Sequence, residues 1–79
     1  MTINDMHPGE RAKIISLGLL ESRLAKKLLD MGLTNGEFVT FIQRAPLGDP
    51  VWIEVKGYQL AVRAEVASRI QVEKAEARA

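Results

Sequence analysis

The sequence predicts a small, mainly β domain: an antiparallel barrel of about five short strands with one helix inserted after the first. Three observations predict it. Short runs rich in β-branched and aromatic residues recur along the chain, each bounded by glycine, proline or asparagine. A single stretch carries helical periodicity. The chain has only 79 residues, room for one domain with a modest core. Five strands in so short a chain have exposed edges unless the sheet curls and closes.

Residues 1–9 read as a mobile entry segment, with Pro8-Gly9 as a turn. Residues 10–17 read as the first strand, Ala12, Ile14 and Ser16 on one face and Lys13 and Ile15 on the other. Gly18 ends it. Residues 20–31 form an amphipathic helix, with Leu20, Leu24, Leu28 and Met31 in one stripe. Arg23, Lys26 and Asp30 face away, and Lys27 lies at the margin. Leu29 falls off the stripe and needs a second buried side or a partner. Gly32 is the left-handed residue that ends the helix, with Leu33 folding back.

After the turn Thr34-Asn35-Gly36, residues 37–43 form the second strand, with Val39 and Phe41 on one face. Residues 51–55 form the third: Val51, Ile53 and Val55 inward, Trp52 and Glu54 outward. Between them, residues 44–51 make a stiff turn. Pro46 and Pro50 fix two φ angles and Gly48 supplies a positive one. The Asp49 carboxylate is expected to accept hydrogen bonds from N–H groups of that turn. Residues 56–59 are a tight connection, 60–63 a fourth strand, 64–68 one helical turn, and 69–73 a last strand centred on Ile70 and Val72. Residues 74–79 read as a mobile tail, so the core spans about residues 10–73.

Composition narrows the chemistry. There is no cysteine, which excludes disulfides, thiolate metal sites and cysteine nucleophiles. A net charge of +1 supplies no strong field toward nucleic acid or an anionic membrane. No apolar run approaches the ~20 residues that span a bilayer. No signal peptide is visible, so the expected location is the cytoplasm. His7 is the only histidine; one imidazole is short of the three or four ligands a metal site needs, though adventitious metal could gather there. Neither a phosphate loop nor a nucleophile elbow is present, and no acid–base pair stands out. The expectation is no enzyme, no cofactor and no resident metal.

The string Leu28-Leu29-Asp30-Met31-Gly32-Leu33, then Gly36, Val39, the 45–51 turn and Leu60-Ala61-Val62-Arg63 resemble the family of ferrous iron transport protein A (FeoA). The likeness runs from about Arg11 to Glu73. Where the family often has a glutamate-alanine pair, Glu65 here is followed by Val66. The resemblance implies an SH3-like barrel with a helical insertion. It also implies a partner: a ferrous iron permease of the inner membrane with a cytosolic G-protein domain, regulated or assembled by a small cytoplasmic protein peripheral to the membrane. The candidate contacts on that reading are Leu47 at the turn tip, the basic face Arg23, Lys26 and Lys27, and Leu29. The alternative class is a nucleic-acid- or repressor-associated module, since an SH3-like barrel also closes repressors of the diphtheria toxin repressor kind. The near-neutral charge and four aromatic residues weigh against it. Leu29, Trp52 and short strand edges also leave room for a homo-oligomer.

Overall fold

The computed structural model describes residues 1–75. Five strands form one antiparallel sheet: β1 (Arg11–Ser16), β2 (Phe38–Arg44), β3 (Val51–Val55), β4 (Tyr58–Val62) and β5 (Gln71–Lys74). Helix α1 (Ser22–Asp30) follows β1, and a single turn, α2 (Ala64–Ala67), joins β4 to β5. The strand order is β4-β3-β2-β1-β5. The two outer strands of the sheet are β4 and β5, and α2 lies in the connection between them.

The alternation read from sequence decides which side chains enter. Ala12 and Ile14 of β1, Val39 and Phe41 of β2, and Val51, Ile53 and Val55 of β3 are buried. The fully buried Phe41 is the largest side chain in the core. Leu20 and Leu28 carry the helix stripe inward, but Met31 at its end is 37% exposed. The helix is shorter than its periodicity suggests. Leu20 is buried in the turn before it, and Met31 is already the cap.

The N-terminus departs from expectation. Residues 1–9 are not a loose lead-in: Ile3 and Met6 are buried in the core. A 3-10 turn over Ile3–Asp5 packs on α2. The Ile3 N–H donates to the Ile70 carbonyl at 3.1 Å, and the Val72 N–H donates to the Met1 carbonyl at 2.8 Å. Arg44 donates to the Asn4 side chain at 2.9 Å and also to its carbonyl. A core confined to residues 10–73 is thus corrected at its first boundary. The segment has no periodicity because it buries two isolated side chains rather than one face. At the other boundary, Lys74 lies in β5 and the Ala75 N–H donates to the Arg11 carbonyl at 2.9 Å. Residues 76–79 of the expected tail lie outside the described residues.

β4 begins at Tyr58, two residues earlier than the sequence suggests. Lys56 and Gly57 alone make the turn, with φ of 52° and 84°. Two successive positive φ values match the twist of a two-residue hairpin. β5 begins at Gln71, later than expected, and Ile70 is buried just before it.

That hairpin fixes the end of α1. The Tyr58 hydroxyl donates to the Met31 carbonyl, one of the acceptors a helix leaves unpaired. Lys56 runs over Gly32 to pair with Glu37 at 2.9 Å. Gly32 has φ of 98°, and a Cβ there would meet Lys56 Cδ at 3.1 Å. The hydrogen bond and charge of Lys56 hold the Glu37 carboxyl below its ordinary range.

Three predictions follow from these contacts. Ile3→Ala removes a fully buried side chain and costs about 2–5 kcal/mol in urea unfolding. A segment outside the core would cost almost nothing. Gly32→Ala costs about 1–2 kcal/mol, mostly from its positive φ, since Lys56 can move aside. For Glu37, the folded pKa is lowered, so its stabilisation is present above the unfolded value and lost as pH falls through the folded one. The melting temperature therefore declines from about pH 5 downward, and Glu37→Gln makes that decline shallower.

Candidate functional site

The segment joining β2 to β3 is the most conspicuous surface feature. The Ala45 N–H donates to the Pro50 carbonyl at 3.0 Å, and the Gly48 N–H to the Ala45 carbonyl at 2.8 Å. Gly48 has φ of 90°, and the Asp49–Pro50 peptide is cis. Leu47 stands at the tip of this braced turn with 97% of its surface exposed. Burying such a leucine is worth about 1.5–3 kcal/mol.

Asp49 does not do what the sequence suggested. Its carboxylate leaves its own turn and accepts the Ala64 N–H at 2.8 Å. Ala64 is the first residue of α2, whose leading N–H groups have no partner within the helix. Arg63 adds an ion pair to the same carboxylate at 3.3 Å. The turn is thereby tied to the end of β4 and the start of α2.

Three grooves border α1; one, between its start and α2, is lined by Leu20, Glu21, Leu24, Glu65, Val66 and Arg69. A second runs between α1 and β4, with Leu24, Leu28, Leu60 and Val66 along its floor and Lys27 and Arg63 among its lining residues. A third lies between α1 and the β1–α1 connection, and Leu29 opens onto it beside Leu17 and Ala25. The five candidate contacts are therefore not one patch. Lys27 shares a groove with Arg63, which is paired to the Leu47 turn through Asp49. Arg23 and Lys26 are exposed on the outer side of α1. Leu29 faces a different groove and is 43% exposed, so the chain gives it no second buried side. Trp52 is half-buried on the outer face of β3, opposite Ala61 of β4.

Sequence reasoning missed Arg63 as a link between turn and groove. It also placed the start of β4 too late to notice its outer edge. The Lys-Gly pair at 56–57 was the available signal for the earlier start of β4.

No group of three or more histidine, cysteine or acidic side chains stands together among the described residues. His7 is exposed and has Glu10 at 3.5 Å as its neighbour. The His7 N–H and Lys74 hold the Glu10 carboxyl below its ordinary range. No described helix is long and apolar enough to cross a membrane.

A model of the FeoA domain matches residues 1–74. The chain belongs to the FeoA domain family. A relative in Porphyromonas gingivalis, an Fe(2+) transport protein A/Fe(2+) transporter FeoB fusion protein, is 36% identical over 75 residues. That match covers 92% of this chain and 8% of the fusion protein. Among solved structures, the FeoA protein of Chlorobium tepidum superposes with a TM-score of 0.88 at 31% identity, covering 94% of this chain and 70% of that one. FeoA of Stenotrophomonas maltophilia, solved with zinc and described as a prokaryotic SH3 domain protein, gives 0.79 at 26% identity, covering 92% and 89%. The barrel is therefore SH3-like, and the family links the chain to ferrous iron transport.

Asp49→Ala leaves the first N–H of α2 without its carboxylate and costs about 1 kcal/mol of stability in urea unfolding. Asp49→Asn keeps a side-chain acceptor and recovers most of that loss.

Proposed function

We propose that this protein is an accessory protein of ferrous iron uptake that works by docking on a membrane Fe(II) permease, on the cytosolic side that carries the G-protein domain. It is a binding module and not an enzyme. The observation that carries the reading is the Porphyromonas gingivalis relative, in which a domain like this one and an Fe(2+) transporter share a single polypeptide. Two units fused in one organism often correspond to separate chains that meet in another.

The surface supports a docking role. Leu47 projects from a turn braced by two backbone hydrogen bonds and the Asp49 tie, so little ordering entropy is lost when a partner covers it. Lys27 and Arg63 lie toward the same side and offer cations to a partner surface. Arg23 and Lys26 extend that basic character along α1. Leu29, on the other flank, belongs to a separate contact or to none.

The test is capture of the detergent-solubilised permease by the immobilised protein. Leu47→Asp lowers recovery about 10-fold or more, in line with loss of a buried leucine anchor. Its melting temperature stays close to that of the wild type, because the side chain touches almost nothing in the free protein. Equal recovery by both proteins removes Leu47 from the contact surface. Failure of the wild type to recover any permease removes the reading itself.

A further inference from the structure

The sheet has two outer strands, and the chain treats them differently. The outer side of β5 is covered by residues 1–3: Thr2 bridges Gln71, the Ile3 N–H reaches Ile70, and the Val72 N–H reaches Met1. β4 has no such cover. In the two-residue hairpin, Val55 and Tyr58 are a hydrogen-bonded pair, as are Ile53 and Leu60, and Val51 and Val62. The N–H and C=O groups of Gln59 and Ala61 therefore point away from β3. Both residues are exposed, and their backbone groups have no hydrogen-bond partner among the described residues. An open edge of this kind is a template for another strand.

What lies beside the edge distinguishes a binding site from a liability. On its inner face is the groove against α1, apolar along Leu24, Leu28, Leu60 and Val66. Its charged lining residues, Lys27 and Arg63, are both cations, and no carboxylate lines it. Asp49 pairs with Arg63 from the turn side, and Glu54, opposite Gln59, lies on the other face of the sheet. Side chains of an added strand alternate between the two faces. Those entering the groove meet apolar surface flanked by positive charge; those on the outer face meet Ala61 and Trp52.

We propose that β4 and the α1 groove bind an extended acidic segment of the partner by strand addition. Backbone groups of the segment pair with Gln59 and Ala61, its apolar side chains enter the groove, and its carboxylates meet Lys27 and Arg63. Main-chain pairing supplies affinity, and the groove and its charges select the sequence. Charge also argues against a second copy as the occupant. Two chains paired edge to edge would place both sets of Lys27 and Arg63 in one interface.

This site rests on the permease-docking reading and names the kind of partner segment involved. Ala61→Pro removes the outward N–H without breaking a β3–β4 bond, a position where proline is tolerated on an edge strand. Lys27→Glu reverses a groove charge at an exposed position. Each variant is first shown to be folded by its amide proton–nitrogen spectrum, with Gln59→Pro standing in if Ala61→Pro is not. Capture of the detergent-solubilised permease is then compared with that by the wild type. The expected result is about a 10-fold or greater loss for each variant, with the Gln59 and Ala61 amides protected from hydrogen exchange in the wild-type complex. Equal capture by all three, without protection, overturns the strand-addition site and leaves permease docking intact. No capture by the wild type overturns both. A wild-type protein that sediments as a dimer, broken by Ala61→Pro, overturns the acidic segment as occupant in favour of a second copy.

Discussion

One carboxylate joins three parts of this molecule. Asp49 sits at the end of the β2–β3 turn, yet its oxygens reach the first N–H of α2 and the Arg63 guanidinium. A four-residue helix has little cooperativity of its own and several unpaired donors at its start. An anion placed there satisfies a donor and complements the local dipole. In return the turn gains an anchor outside itself. α2 carries the buried Ala67 and packs against the N-terminal 3-10 turn. Removing the Asp49 contact thus loosens both the tip that carries Leu47 and the single turn that carries Ala67.

A second economy governs the edges. A domain of this size cannot bury much surface, so each stretch of chain serves more than one purpose. Residues 1–6 supply two core side chains and also cover the outer side of β5. The β3–β4 hairpin forms one end of the sheet and holds the end of α1 through Tyr58 and Lys56. Among the surfaces left uncovered are the Leu47 tip, the β4 edge and the grooves beside α1. On the proposed reading, those are the surfaces on which the protein acts.

Much of the fold was legible because it rests on local patterns. Strict alternation placed Val51, Ile53 and Val55 inside, and Gly32 marked the helix end with the positive φ that it adopts. The SH3-like class followed from the resemblance carried by residues 11–73. The misreadings share a physical cause. Ile3 is held to Ile70 and its turn packs on α2, both far away in sequence, and no periodicity announces two isolated buried side chains such as Ile3 and Met6. Asp49 looked like a local turn acceptor because its actual partner is 15 residues away. The grouping of Lys27 with Arg63, and the separation of Leu29 from both, depends on where α1 lies against β4. Helix periodicity gives the faces of α1 but not the neighbours they meet.

Residues 46–49 form a rigid projection held from outside the turn. Backbone nitrogen-15 relaxation of the free protein tests it most directly. The account predicts order parameters for Leu47, Gly48 and Asp49 near those of the strands, about 0.85. Values below about 0.6, typical of a flexible loop, would contradict it.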